Sequence, residues 1–352
     1  MATTFIGTTF PATSLWYQDE MRVIDSIRTQ INSWFSHHNN LLINTTWFGP
    51  QFNNGQYEKF LALVNQQQTF DNVFLIAAAD PVFLNQEQIA TIQTSVQAKQ
   101  LYLLGHFDSQ YYFNFHATIL ASHFQQYDLA QITLQDPALI FVNYNRKPRT
   151  HRIQFVELLK AHGLDTAGIV TLGNDIDNIY SGGLAVTAST LNELTAANVQ
   201  DSMGAGGNNQ KFGIPDDIHS LGNLDLWQQH FLNIVGETEF LPWDNMFISE
   251  KTWKPILGLR PFVINGQTKI YQYLRDQGFC TFNHHWPHIE LEEINELEVH
   301  NSIIQVIKYL KELSKDQLQN LYATMLPDLL HNQQHFAKFS QTQRYRIDNL
   351  FV

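Results

Sequence analysis

The segment of residues 231–264 most constrains what this chain can fold into. It begins with a short apolar run, residues 231–235, whose length is typical of a buried β-strand. Ser249 follows after a loop and is well suited to be the N-cap of a helix. Pro255 lies inside that helix and removes one helical hydrogen bond, which predicts a short or kinked helix. Residues 260–264 then predict a second strand, so the order is strand, helix, strand.

Charged residues follow the first strand of this segment and also begin its helix. Glu237 and Glu239 come directly after the first strand, at the edge where open α/β sheets bind their ligands. The helix start combines free N–H groups and a positive dipole end with Ser249, Glu250 and Lys251, which suits a phosphate. We therefore predict a phosphate-ligand site made from Glu237, Ser249, Glu250 and Lys251. The alternative is an ordinary strand–helix–strand unit with a charged surface turn.

The segment resembles the nucleotide-binding motif of the α1,3-fucosyltransferases. In that family a strand ends in Phe-Glu-Asn, and after a spacer come Tyr-Ile-Thr-Glu-Lys, a helix and a Pro-Val-Val strand. Glu237 stands near the family's first Glu, residues 248–251 match Ile-Thr-Glu-Lys with Ser in place of Thr, and residues 261–264 match the closing strand. The resemblance covers about a tenth of the chain.

The resemblance implies a GT-B fold, in which two Rossmann-like domains face a central cleft, and a GDP-linked sugar donor. It implies that Glu250 contacts the ribose, that Lys251 contacts the diphosphate, and that a further basic residue of the second domain does the same. The Asn-Ser that follows the family's first Glu is missing here. The base and the sugar of the donor therefore stay open.

Strands and helices alternate along the rest of the chain, which predicts an α/β fold with parallel sheets. Two Rossmann-like halves in tandem are expected, residues 1–136 as an acceptor and catalytic-base domain and residues 137–330 as the nucleotide-sugar domain. Residues 331–352 are expected to form a helix that packs back on the first domain. Strands are predicted at residues 40–46, 72–78, 100–104, 138–142 and 169–172, and helices at residues 15–35, 57–64, 84–92 and 150–162.

Local signals also mark where helices begin and end. Gly163 followed by Leu164 predicts a Schellman ending for the helix of residues 150–162. Ser314 with Gln317 forms a capping box that opens the last helix.

The densest positive charge of the chain precedes one of these helices. Four of the seven residues 146–152 are basic, namely Arg146, Lys147, Arg149 and Arg152. They lie between a strand end and a helix N-terminus, where an anion is favoured, and guanidinium groups bind phosphates in a bidentate manner. We predict that Arg149 or Arg152 contacts the diphosphate, with Arg146 nearby. The alternative is a solvated basic loop, although four like charges repel each other when no anion is close.

Inverting sugar transfer also needs a general base for the acceptor hydroxyl. It should come from the first domain, at the carboxyl end of a strand. Asp80, His106 and Asp108 meet that condition, and we favour Asp108 and Asp80 over His106. Asp80 precedes Pro81 and has the alternative role of starting a turn.

Composition excludes several other classes of protein. The net charge of −12 disfavours a surface for nucleic acid or acidic lipid. Cys280 is the single cysteine among the 352 residues, which fits a reducing compartment. The first twenty residues lack the features of a signal peptide, and no apolar run reaches the ~20 residues of a membrane span, so a cytoplasmic chain is expected.

Metal chemistry is not expected from the sequence. We find no Asp-x-Asp motif after a strand that could hold a nucleotide-bound metal. His284, His285 and His288 lie close together, but they lack the helical spacing of a zinc motif, and such clusters are more often surface or packing features. The tryptophans Trp227, Trp243 and Trp253 flank the predicted site and could stack on a base or a sugar, although core packing is the commoner fate of tryptophan.

These patterns together predict a metal-independent, inverting glycosyltransferase without a cofactor. It moves a sugar from a nucleoside-diphosphate sugar to a glycan or another hydroxyl acceptor. Two alternatives remain open: a non-catalytic α/β protein that binds a nucleotide or a glycan, and a two-domain phosphate-ligand enzyme such as an epimerase.

Overall fold

The computed structural model describes most of the chain and divides it into two compact units. The first contains Met1–Ile119, Trp243–Phe247 and Ser340–Val352, and the second contains Leu120–Pro242 and Ile248–Phe339. Within them, the structure describes residues 3–6, 15–44, 70–77, 86–95, 98–105, 111–124, 128, 132–145, 148–172, 221, 224–240 and 246–352.

The described part of the first unit is built on a parallel sheet with the strand order β1-β2-β3-β4. Its strands are β1 (Thr4–Ile6), β2 (Asn40–Asn44), β3 (Asn72–Ala77) and β4 (Gln100–Gly105), and its helices are α1 (Leu15–Trp34) and α2 (Gln86–Ser95). The next helix, α3 (Phe115–Phe124), begins in the first unit and ends in the second. Successive residues of β2 point to opposite faces, so Leu42 joins a core with Ile24 of α1 while Leu41 joins a second core with Ile92 of α2. Burial of both sheet faces is typical of parallel α/β sheets.

The described part of the second unit contains another parallel sheet, with the order β6-β5-β7-β8. Its strands are β5 (Leu139–Asn143), β6 (Gly168–Val170), β7 (His230–Gly236) and β8 (Phe262–Asn265). Its helices are α4 (Thr150–Ala161), α5 (Leu224–Trp227), α6 (Glu250–Leu257), α7 (Lys269–Asp276) and α8 (Glu296–Lys311), and the last helix, α9, spans Lys315–Asp348. β7 and β8 are buried along their whole length.

The α/β class and the parallel sheets predicted from the sequence are confirmed. Gly163 has a φ of 60°, its N–H donates to Lys160 O and that of Leu164 donates to Leu159 O, which is the predicted Schellman ending. Ser314 and Gln317 exchange the two hydrogen bonds of the predicted capping box. The helix predicted at residues 57–64 lies outside the described residues.

β1 and α3 were not predicted, and each lacks the pattern that would reveal it. β1 is three residues long. α3 is largely apolar, so it shows no contrast between a buried and an exposed face. α9 runs for 34 residues with Pro327 inside it, and the segment expected as a separate C-terminal helix is part of it. No helix in the described ranges has both the length and the apolar character needed to cross a bilayer.

Gly258 provides a test of the packing in the second unit. A Cβ atom at this position would lie 2.2 Å from the Trp227 ring, which is buried and donates its indole N–H to Leu221 O. Gly258→Ala should therefore lower the free energy of unfolding by about 1–3 kcal/mol through overpacking. In the Trp227→Leu background the same change should cost less, because the clashing ring is gone. An equal cost in the two backgrounds, measured by urea denaturation, would contradict this packing.

Candidate functional site

Glu237 holds together the end of β7 and the beginning of α6. Its side chain is fully buried. Thr252 Oγ1 donates to Oε1 at 2.6 Å, Ser249 Oγ donates to Oε2 at 2.7 Å, and the Ser249 N–H lies 3.2 Å from Oε1. The N–H of Thr238 donates to Oε2 at 3.0 Å. The carboxylate thus occupies the anion position at the N-terminus of α6.

This arrangement changes what the helix end can offer to a ligand. Ser249 is the N-cap, as predicted, and its Oγ accepts from the N–H of Lys251. α6 is eight residues long with Pro255 inside it, as the sequence also predicts. However, the donors around the N-cap hold the protein's own Glu237, so a phosphate here must be bound by side-chain cations. Glu237 is a positioning residue that fixes α6.

Arg152 binds the same strand end from the side of α4. Its Nη2 donates to Gly236 O at 2.7 Å and to Glu237 O at 2.9 Å, and its side chain is buried. Burial, aided by the nearby charge of Arg149, lowers the pKa of Arg152 to about 9, so the guanidinium stays charged at neutral pH. Arg152 therefore positions the end of β7 in this structure.

Arg149 is the more accessible of the two arginines. Its side chain is 13% exposed, and its Nη1 lies 3.6 Å from Oε1 of the buried Glu239. Its backbone forms the N-cap position of α4. Arg149 thus lies on the surface beside a carboxylate, at the strand end where ligands bind in such sheets.

Two histidines beside this strand end were not predicted. His151 Nε2 donates to Glu237 O at 3.0 Å, and its ring stacks on Phe240. Burial, together with the charges of Arg152 and Arg149, holds the pKa of His151 well below its usual value. His300 Nε2 lies 2.9 Å from Asn265 Oδ1, and burial lowers its pKa to about 4. Both rings are therefore neutral at pH 7.

Lys251 and Glu250 form an ion pair on the first turn of α6. Lys251 Nζ lies 2.6 Å from Glu250 Oε1 and 3.3 Å from Ser249 Oγ. The Lys251 side chain is 18% exposed, whereas that of Glu250 is 4% exposed. The Lys251 side chain is therefore partly open to solvent, whereas the carboxylate of Glu250 is buried.

A recess opens beside this ion pair at the carboxyl end of β7. It comprises about 370 Å³, including the part open to solvent. Two cations of α6 and two aromatic side chains line it together with the backbone of β7. Its lining residues are Tyr144, Leu221, Trp227, Asn233, Ile234, Val235, Gly236, Lys251 and Lys254. The recess thus combines positive charge with aromatic surface.

The other predicted site residues have different locations. Asp80, His106, Asp108 and Arg146 lie outside the described residues, as does Trp243. Trp253 is fully buried and its ring packs against aromatic side chains of the core, so it takes no part in the site.

The Glu237 network predicts a measurable stability difference at Thr252. Thr252→Val keeps the shape of the side chain but removes a buried hydroxyl donor from a carboxylate, so it should cost about 1.5–3 kcal/mol of unfolding free energy. Thr252→Ser is the matched control because it keeps the hydroxyl. Urea denaturation should place the serine variant closer to the wild type. Equal stabilities of the valine variant and the wild type would contradict the network.

The neutral histidines predict a loss of stability in acid. The pKa of His300 is about 4 in the folded chain, against about 6.5 in an unfolded one. Its contribution is complete above about pH 6.5 and is lost as the pH falls towards 4, because the unfolded chain then binds the proton more strongly. The thermal midpoint should therefore fall over this range, and less steeply in His300→Gln, which keeps a donor for Asn265. The same slope in both proteins would contradict this role of His300.

The structure thus brings Glu237, Glu250, Lys251, Arg149 and Arg152 to one end of β7 within the second unit. Four further residues lie there that no local sequence signal indicated, namely Tyr144, His151, Lys254 and His300. Comparisons of the chain with protein-family models, with curated proteins and with solved structures found no match.

Proposed function

We propose that this chain is a glycosyltransferase that moves a sugar from a nucleoside-diphosphate sugar to a hydroxyl acceptor. The observation that carries the proposal is the recess at the carboxyl end of β7, where Lys251 and Lys254 lie beside Tyr144. Ligands of parallel α/β sheets bind at this edge. The proposal includes a GT-B-like arrangement, in which two Rossmann-like domains face the reaction site.

The diphosphate is the part of the donor that these cations fit. Lys251 and Lys254 are three residues apart on α6 and therefore share one helix face. Lys251 is held by Ser249 and Glu250, its immediate neighbours, and its ammonium group reaches solvent. A phosphate oxygen can replace these contacts without any movement of the backbone. Arg149, 13% exposed, adds a guanidinium group with bidentate capacity at the same strand end.

The sugar and the base of the donor need polar and aromatic contacts. When Lys251 binds a phosphate instead of Glu250, the Glu250 carboxylate can accept a hydrogen bond from a ribose hydroxyl. Contact with the ribose is the role that the sequence resemblance implies for Glu250. Tyr144 offers an aromatic face in the recess, where a base can stack. The identity of the base follows from a binding experiment and not from these contacts.

The chemical step places two demands on the protein. The departing diphosphate gains negative charge as the sugar leaves, and Lys251 with Arg149 stabilises that charge more in the transition state than in the ground state. The acceptor hydroxyl loses a proton to a base of the first domain, for which Asp108, Asp80 and His106 are the candidates. Side-chain cations supply the positive charge, so the transfer is proposed to be metal-independent. The deprotonated acceptor oxygen is proposed to displace the diphosphate in one step, which inverts the configuration of the sugar.

The proposal predicts a specific effect of Lys251 on turnover. Lys251→Ala and Arg149→Ala should each lower kcat on the order of a hundredfold and weaken donor binding, because each removes a charged contact to the diphosphate. Lys251→Arg should restore part of the activity, since guanidinium and ammonium groups differ in shape. Lys311→Ala, an exposed lysine of α8, is the matched control.

The donor is identified first, by calorimetry with GDP, UDP, ADP and CMP and by hydrolysis of a panel of nucleotide sugars. One nucleotide should bind clearly more tightly than the others, and its sugar conjugate should be hydrolysed slowly. Binding without any hydrolysis or transfer would favour the non-catalytic binding protein. If Lys251→Ala matches the wild type within a factor of about two in kcat and KM, the phosphate site lies elsewhere.

A further inference from the structure

Two histidines and an aspartate converge in a part of the second unit that does not line the recess. His284 and His285 lie in the short 3₁₀ turn Asn283–His285, and Asp328 lies on α9. Among the described residues, one imidazole nitrogen of each histidine and one carboxylate oxygen of Asp328 lie within 4.8 Å of one another. The sequence shows the paired histidines but not the carboxylate that the fold brings to them.

The distances between these nitrogen and oxygen atoms are too long for hydrogen bonds, but they are close to the spacing of ligand atoms around one metal ion. Nε2 of His284 lies 3.7 Å and Nε2 of His285 lies 3.8 Å from the same oxygen, Asp328 Oδ2. Both distances exceed that of a hydrogen bond. A tetrahedral zinc ion with bonds of about 2.0–2.1 Å separates its ligand atoms by about 3.3 Å. The two imidazole-to-carboxylate distances exceed this spacing by only about 0.4–0.5 Å, a difference that side-chain rotation can close.

Side chains of α9 fix the segment that leads to the histidines. Asn332, one turn after Asp328, accepts from the Cys280 N–H at 2.7 Å and donates to Cys280 O at 2.9 Å. His331 Nε2 donates to Gly278 O, and His335 Nε2 donates to Gln277 O. The chain before the histidines is thus tied to the helix that carries the carboxylate. Such support of the residues around the ligands is typical of metal sites.

The donor atoms of this cluster indicate which ion it can hold. Two imidazoles and a carboxylate suit zinc and its divalent neighbours rather than magnesium or calcium, and three protein ligands leave the fourth position of a tetrahedral ion to water. The His284 side chain is 63% exposed, which provides a path for the ion from solvent.

We propose that His284, His285 and Asp328 form a binding site for a zinc-class divalent ion. The ion cross-links the turn after α7 to α9. The site is independent of the proposed sugar transfer, because none of its residues lines the recess. The expectation from the sequence that this chain carries no metal site changes because the fold adds Asp328 to the histidine pair.

Cobalt is the most informative probe of this site. The full-length chain, first treated with EDTA, is titrated with Co²⁺ while its absorption is recorded. We expect one ion per chain, visible bands of tetrahedral cobalt, and displacement by Zn²⁺. Asp328→Asn and His284→Gln should weaken binding by about a hundredfold or more, because each removes a ligand. His284 is exposed, so its replacement leaves the fold intact.

Two variants control for other modes of binding. His288→Asn removes a neighbouring exposed histidine whose φ is 61°, a conformation that asparagine tolerates, and it should bind cobalt as the wild type does. Cys280→Ser removes the thiol that lies four residues before His284, and it should likewise bind cobalt as the wild type does. The proposal is overturned if the wild type binds no cobalt, if Asp328→Asn binds it unchanged, or if either control variant weakens binding as much as the ligand variants do.

Discussion

The buried carboxylate of Glu237 is the constraint on which the second unit depends. A buried charge costs several kcal/mol unless it is paired and hydrogen-bonded. Here Thr238, Ser249 and Thr252 supply the donors, and the charge of Arg152 adds to them. Because Ser249 and Thr252 belong to the start of α6 and the carboxylate to the end of β7, the network fixes the helix against the strand. The directions of the α6 side chains follow from that contact.

Arg152 fixes the third element at the same point. Its guanidinium group binds the carbonyl groups of Gly236 and Glu237, so the N-terminal turn of α4 lies against the end of β7. A Cβ atom at Gly236 would lie 2.4 Å from Asn145 Oδ1, so a larger residue there would have to displace the Asn145 side chain. Two helices and a strand therefore meet at contacts that the chain makes with itself. Arg149 and Lys251, the groups proposed to contact the ligand, are partly exposed beside this buried layer.

The features that were predicted correctly depend on residues that are close together along the chain. The strands, the capping box at Ser314, the N-cap Ser249 and the Schellman ending at Gly163 all depend on signals within a few positions. The roles of Glu237 and Arg152 depend on residues that the fold brings close, such as Thr252 15 positions away and Gly236 84 positions away. Both residues were predicted at a strand end, where the structure has them, but sequence signals do not separate a residue that fixes the fold from one that faces a ligand.

That distinction follows from how the protein uses each polar group. The carboxylate of Glu237 accepts hydrogen bonds on both oxygens from its own chain, so little capacity remains for a ligand, and burial closes access to it. Lys251 is partly exposed and bonds to its immediate neighbours, so a phosphate can take over those contacts without cost to the fold. His284 and Asp328 face each other at a distance that no hydrogen bond spans. Ligands are therefore expected where charged or coordinating groups are held in place by the fold but are not satisfied by it.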